Sequence, residues 1–333
     1  LFVSWSVVCG IIIGAVIGSF LNMAIYRLPR GKSFVNPSKS FCPNCEHSLE
    51  AIDLIPLLSW LSTGGKCRYC KQPIASRYFY VELLTAALFA GIWWQFLVVG
   101  AAPLKAVFFS IETAALVAVI YIDWELFIIP DELNAFLLIV AIAYRAFDHS
   151  LLQGLYGGLL GWAILWGIAF LGRVAFGKDA MGHGDIKMMR GVGFLLGPAL
   201  VAANTAIAVI LGLVFGLLFI GIEMYRNRNK ASESSAEEEL PLPEPEPLGS
   251  LTKLGVVYLL ALDVVAIPFP KFYELIGVKS ELESEEIDDN WKPTLTTIPF
   301  GPYLAAGAIV CMLFAGPINT GIDVWLQGGA VVK

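Results

Sequence analysis

Four cysteines, Cys42, Cys45, Cys67 and Cys70, fall as two C-x2-C pairs in one polar stretch. Each pair can grip a metal from a single tight turn, and four thiolates complete a tetrahedral site with no position left for water. The pattern therefore predicts a structural Zn2+ site, not a catalytic one. Two disulfides would use the same residues, but the topology derived below puts this stretch in the reducing cytoplasm, where disulfides do not persist. His47 could stand in for a thiol; with four cysteines present it reads as a surface histidine. Cys9 and Cys311 stand alone in apolar runs and read as packing or lipid-facing residues.

Carboxylates form the second chemical set. Asp123 follows the apolar run Leu116–Ile122, Asp131 follows Ile128-Ile129-Pro130, and Asp185 sits in Gly182-His183-Gly184-Asp185 directly before another apolar run. One acid at a helix end is ordinarily a cap or an interface group, whereas acids facing protein within the membrane mark functional sites. Two at one depth on different helices can share one proton and activate one water, which is aspartic-protease chemistry. Gly182 and Gly184 leave the backbone ahead of Asp185 open to a substrate strand. His183 reads as a spacer, and with no H-E-x-x-H in the chain a metalloprotease is unsupported. Lys187 could hold a lipid or substrate phosphate, and by default marks the interface.

Membrane helices must position these groups. Of 333 residues, 57% are hydrophobic and 15% charged, far below the charge of soluble domains. Apolar runs near the ~20 residues needed for a crossing occur at roughly 2–22, 80–99, 104–122, 132–147, 154–171, 186–197, 199–222 and 302–320. The expected fold class is an all-α polytopic membrane protein of about eight transmembrane helices with a small four-cysteine, zinc-binding cytoplasmic domain. Placing residues 27–79 inside puts every one of the 22 Lys and Arg on that side except Lys105, Arg145 and Lys333. Helix 3 then ends at the inner face with Asp123 and helix 6 begins there with Asp185, so both carboxyls reach one depth. The net charge of −6 makes no case for nucleic acid as a partner, and the acids cluster too strongly for the average to say more.

The expected divisions are a first transmembrane helix (1–26), a cytoplasmic zinc-binding domain (27–79), a transmembrane core with helices 2–7 (80–222), a partly disordered cytoplasmic linker and insert (223–298), and a last helix with the C-terminus (299–333). The Ser-, Glu- and Pro-rich run after Lys230 cannot bury enough apolar surface to fold. Gly255–Ile267 is too short to span and holds Asp263, so an interfacial or packed helix is expected there.

Ordered motifs extend over nearly the whole chain: Gly14-Ala-Val-Ile-Gly18-Ser-Phe-Leu-Asn22 with Tyr26-Arg27-Leu28-Pro29, the paired cysteines, Ser76-Arg77-Tyr78 with Val81-Glu82-Leu83, and Asp123 to Pro130-Asp131. Ala180-Met181-Gly182-His183-Gly184-Asp185-Ile186-Lys187 and Ile298-Pro299-Phe300-Gly301-Pro302 follow. Together they resemble the type IV prepilin peptidases, the leader peptidases of type IV pilus and type II secretion systems. The resemblance implies a multi-pass protein of the bacterial cytoplasmic (inner) membrane, active on its cytoplasmic side. It would cleave prepilin or pseudopilin leaders ahead of the substrate's hydrophobic helix. Asp123 and Asp185 are implied as the catalytic pair, with Asp131 supporting substrate or helix position. Members with four cysteines commonly also methylate the new amino terminus from S-adenosylmethionine. Glu82 could take that amine's proton, and a buried Glu82–Arg77 pair is the other reading. The chain departs from many relatives at Ala86, where they carry Gly, and in the length of its 226–291 insert.

Two alternatives use the same acids. A presenilin-like or signal-peptide-peptidase-like protease also carries G-x-G-D, but the four-cysteine loop and the Ile298–Pro302 motif disfavour it. A non-enzymatic transporter binding cations through its acids would be expected to show broken helices in two related halves, and no such repeat is visible.

Overall fold

The computed structural model describes residues 2–35, 40–42, 44–177, 181–228, 248–269 and 299–326. Helix α1 (Phe2–Arg27) is one apolar run closed by Arg27 in its last turn. After it comes the cysteine loop, with a 3-10 turn (Ala51–Leu54) and the short α2 (Leu58–Ser62). α3 (Arg77–Trp93) continues as a π-helical segment, Trp94–Val99. It lies tightly on α1, since a Cβ on Gly18 would stand 2.7 Å from the Glu82 Cα and one on Gly14 2.8 Å from the Ala86 Cα. Missing side chains at those two positions set how near the backbones come.

α4 (Pro103–Leu126) begins on proline, whose missing N–H is no loss in a first turn. It stops at Phe127, which turns left-handed at φ 58° and donates its N–H to the Asp123 carbonyl at 3.0 Å. α5 (Asp131–Phe147) opens after Pro130 with two acids in its first turn, where the helix dipole favours them. α6 (Leu151–Phe176) turns Gly154, Gly157, Gly158 and Gly161 inward, and α7 (His183–Leu196) packs along it. α8 (Pro198–Arg228) follows directly, separated only by the left-handed Gly197. α9 (Leu248–Leu259) and α10 (Leu262–Ala266) lean on α6 and α5 respectively. α11 (Gly301–Leu313) and α12 (Ala315–Leu326) complete the described chain, with α11 set between α4, α7 and α8.

Among the described residues, five helices are long and apolar enough to cross a membrane: Trp5–Arg27, Arg77–Val99, Pro103–Leu126, Leu151–Phe176 and Pro198–Ile222. The chain is thus a mostly helical, multi-pass membrane protein, but the expected count of about eight is not reached by this measure. α5, with 17 residues, and α7, with 14, fall short; at 1.5 Å per residue α7 extends about 21 Å against a core of about 30 Å. The expected single helix at 302–320 is also corrected. It breaks at Phe314 into α11 and α12, bent by 87°, and the pair makes a sixth crossing only if counted together. Pro317 accounts for the break, because its ring crowds the carbonyl four residues back, at Leu313, and it has no N–H to continue the ladder. Gly255–Ile267 is helical and packed, as expected, while the Ser-, Glu- and Pro-rich linker lies outside the described residues.

Candidate active site

Asp123 occupies the last turn of α4 and Asp185 the first turn of α7, and both are buried. They converge on Gly301, the first residue of α11. A Cβ at Gly301 would lie 2.5 Å from Asp123 Oδ2, 3.0 Å from Asp185 Oδ1 and 3.0 Å from the end of Ile129. The two oxygens can be no farther apart than the sum of the first two distances, about the span of two O–H···O bonds laid end to end. One water could therefore touch both carboxylates. The sequence reading placed Gly301 in a motif but assigned it no role; its signal was a glycine between Phe300 and Pro302 at a helix start.

The turn bearing Asp185 is tied down from α5. Asn134 Nδ2 donates to the carbonyls of Gly184 and of Ile129, each at 3.4 Å, and so links the α7 start to the segment that follows Asp123. Gly184 is buried, whereas Gly182, the residue capping α7, is exposed and faces Asp185 Oδ2, 3.2 Å from where its Cβ would be. His183 turns its ring to Tyr258, with centroids 5.9 Å apart.

Lys187 does not mark an interface or wait for a phosphate. It is buried, and its Nζ pairs with Asp131 Oδ1 at 2.6 Å while lying 4.9 Å from the centre of the Tyr258 ring. A lysine at that depth persists only when its charge is answered locally. Asp131 thus reaches the Asp185 helix through Lys187. One turn on, Arg190 makes two bonds to Asp263, at 2.8 and 2.9 Å, and a third to the Tyr258 carbonyl. Arg145, expected in an outer loop, is buried instead and closes the other end of α7. Its Nε donates to the Phe194 carbonyl at 3.1 Å and its Nη2 to that of Leu195 at 2.6 Å; a guanidinium suits those terminal carbonyls.

The four cysteines form a second centre. All four Sγ lie within 4.8 Å of one another, with Cys42 and Cys70 at 3.9 Å, and all are free thiols. A tetrahedron of sulfurs about 2.3 Å from a metal has edges of about 3.8 Å. The two pairs are built alike. Cys42 N–H donates to His47 O at 3.0 Å and Glu46 N–H to Cys42 O at 2.8 Å; Cys67 and Lys71 repeat this at 2.8 and 3.0 Å. The residue after each second cysteine, Glu46 or Lys71, takes a left-handed turn at φ 56° or 60°. Backbone N–H groups of Cys70 and Tyr69 point at Cys67 and pull its thiol down to about 7, toward the thiolate that binds metal. Asp53 anchors the second turn through Arg68 Nε and the Tyr69 hydroxyl, both at 2.8 Å. His47 is exposed, as expected, and lies against the Tyr69 ring.

Glu82 belongs to neither centre, and the alternative reading that pairs it with Arg77 is corrected. Arg77 binds Glu125 instead, Nη1 to Oε1 at 2.7 Å, while Glu82 Oε2 accepts the Leu57 N–H at 2.7 Å. Ala86, one turn along α3, is buried against Gly14.

Two family models match this chain: the bacterial peptidase A24 N-terminal domain over residues 12–96 and the type IV leader peptidase family over residues 110–217. Among curated proteins, a prepilin leader peptidase/N-methyltransferase of Aeromonas hydrophila is 33% identical over 236 residues, 63% of this chain and 79% of the relative. Proteins of the same description from Stutzerimonas stutzeri and Pseudomonas aeruginosa are each 30% identical, over 65% and 64% of this chain and 82% and 81% of the relatives. The aligned share is smaller than the nearly complete resemblance expected from the motifs. No solved structure matches.

Proposed function

This chain belongs to the type IV leader peptidase family, and from that premise we propose that it cleaves the leaders of prepilins or pseudopilins with Asp123 and Asp185, at the cytoplasmic face of the bacterial inner membrane. The convergence of both carboxylates on Gly301 carries this reading. Asp185 lies where the positive end of a helix favours an anion, and Asp123 where the negative end favours a neutral acid. Asp185 then takes a proton from water as the water oxygen attacks the scissile carbonyl, and Asp123 gives its proton to the carbonyl oxygen. The tetrahedral species collapses as a proton passes to the leaving amine. Gly182, exposed at the start of α7, leaves room for the substrate strand, whereas the buried Gly184 lets Asn134 reach its carbonyl; Asp131, through Lys187, holds the α7 start in place. Membership in this family sets aside the presenilin-like and transporter alternatives.

The thiol cluster fits Zn2+ in donor type, number and spacing. Bound there, the metal would hold the loop's two turns together without taking part in cleavage. The second half of the relatives' name points to methylation of the amino terminus exposed by cleavage, with S-adenosylmethionine as the methyl source.

Cleavage of a prepilin by the purified chain, followed by gel shift, tests the reading. Asp123→Ala and Asp185→Ala should each abolish cleavage while helix content stays unchanged, and the wild-type rate should fall on both sides of a pH optimum. An Asp123→Asn variant that kept most of the rate would remove Asp123 as the acid.

A further inference from the structure

α9 and α10 lie within the 226–291 insert, beyond residue 217, where the leader peptidase match ends. Their buried side is nonetheless in contact with the helix that carries Asp185. The His183 ring stands edge-on to Tyr258 with centroids 5.9 Å apart, Lys187 Nζ lies 4.9 Å from the centre of the same ring, and Arg190 donates to the Tyr258 carbonyl. One residue of the insert thus touches three successive turns of α7.

Helix geometry says which side of α7 that is. At about 100° per residue, Lys187 and Arg190 fall within roughly 40° of His183, whereas Asp185 falls about 200° away. Tyr258 therefore presses on the back of α7, and Asp185 leaves from the front toward Gly301 and Asp123. Resting on the peptidase reading above, we propose that α9 and α10 brace the catalytic turn, with Tyr258 as the positioning residue that aims Asp185 at Asp123.

A brace must itself be fixed, and this one is. Trp166 on α6 donates its indole N–H to the Leu251 carbonyl at 3.5 Å, and Gly255 has no side chain where that indole lies. Between α9 and α10, Ala261 turns left-handed at φ 53°, which residues other than glycine seldom adopt and which persists only where the surroundings enforce it. Arg190 supplies that enforcement, holding the Tyr258 carbonyl before the turn and the Asp263 carboxylate after it. Tyr258 and Asp263 are buried, while Val256, Leu260 and Val265 on the other side of the two helices are exposed.

The ring has a particular task at Lys187. An aromatic face attracts a cation within about 6 Å, so the ammonium is drawn toward Tyr258 on α9 as well as toward Asp131 on α5, 2.6 Å away. Held from two elements, Lys187 fixes the rotation of α7 about its own axis. Rotation is the motion that matters: a turn of about 10° carries a carboxyl roughly 5 Å from the axis through about 1 Å. Displacements of that size cost catalysis heavily.

The test is Tyr258→Leu in the full chain in detergent, which removes the ring and keeps the carbonyl for Arg190. Cleavage of a prepilin, corrected for the folded fraction, should show kcat lowered about tenfold with KM within about twofold of wild type, because the brace acts behind Asp185 and not on the substrate. Tyr258→Phe keeps the ring and should recover most of the rate. If Tyr258→Leu does not fold, Tyr258→Met, unbranched and able to fill the gap, carries the same comparison. An unchanged kcat per folded molecule, or a rise in KM alone, overturns the proposal. Hydrogen exchange reads the brace without substrate: amides of residues 186–190 should exchange several-fold faster in Tyr258→Leu while those of α3 keep their wild-type rates, and equal rates at 186–190 overturn it. Exchange also keeps the two kinds of failure apart, since a wild-type chain that cleaves no prepilin would overturn the peptidase reading, and faster exchange in the variant would leave the brace standing.

Discussion

Between α1 and α3 the chain buries few apolar side chains. Ile52, Leu54, Ile55, Leu58 and Leu61 are all exposed, and order comes from two hydrogen-bonded turns whose thiols meet at one point. α7 is built the opposite way. Gly184 to Gly193 are buried without exception, and its two cations are each matched to an acid from another element, Lys187 to Asp131 and Arg190 to Asp263. One region depends on a single central constraint, the other on many distributed ones. With a metal held by the four thiols, the first should come apart on its removal with little effect elsewhere, while damage to the second should spread to whatever the helix carries, here Asp185.

The largest expected effect comes from Gly301→Ala. Its methyl would press on Asp123 Oδ2 and Asp185 Oδ1 together, and displacements of about 1 Å cost catalysis about a hundredfold. Cleavage should fall at least that far, with methylation of a precleaved substrate unaffected; a rate within a few-fold of wild type would mean the pair tolerates being moved. Next comes Lys187→Met, which strands Asp131 in the interior and should lower stability by about 3–5 kcal/mol in detergent unfolding. Adding Asp131→Leu should restore most of that loss, and a double variant as weak as the single one would show that the pair is not acting as a unit.

Asp263→Asn should be milder, about 1.5–3 kcal/mol, because an amide still accepts one bond from Arg190. Its readout is faster proteolysis within Leu248–Ala266 while the remaining helices stay resistant. Chelation should touch the bundle least. Cuts by protease between Cys45 and Cys67 should accelerate severalfold, with the unfolding midpoint of the helices unchanged. A chelator that destabilised the bundle as much as Lys187→Met would erase the distinction between the two regions.

The parts legible in the sequence were those whose chemistry is local. A C-x2-C pair needs only its own turn, so four cysteines announced their cluster before any fold was known. Asp123 and Asp185 were legible because positive charge in the loops fixed which helix ends face the same side. What stayed hidden depends on partners distant along the chain. Lys187 looks like an interface lysine until Asp131 is brought to it, 56 positions away, and Arg145 like an outer-loop charge until the end of α7 arrives beneath it. Gly301 could be noticed as part of a motif, but nothing near it in the chain says that two carboxylates will occupy the space its side chain lacks. The bend at Phe314 was readable from Pro317 and was hidden by the apolar run around it.

The Arg190–Asp263 pair has a consequence for how the protein is made. Synthesis runs from the amino terminus, so Lys187 enters the membrane with Asp131 already in place, whereas the acid for Arg190 lies 73 positions further on. Until Asp263 emerges, the helix carrying Asp185 holds a guanidinium whose acid partner has yet to be made. Gly301 and α11, which close the pocket around both carboxylates, come later still. A half-made chain on the ribosome therefore holds both acids without the site they form.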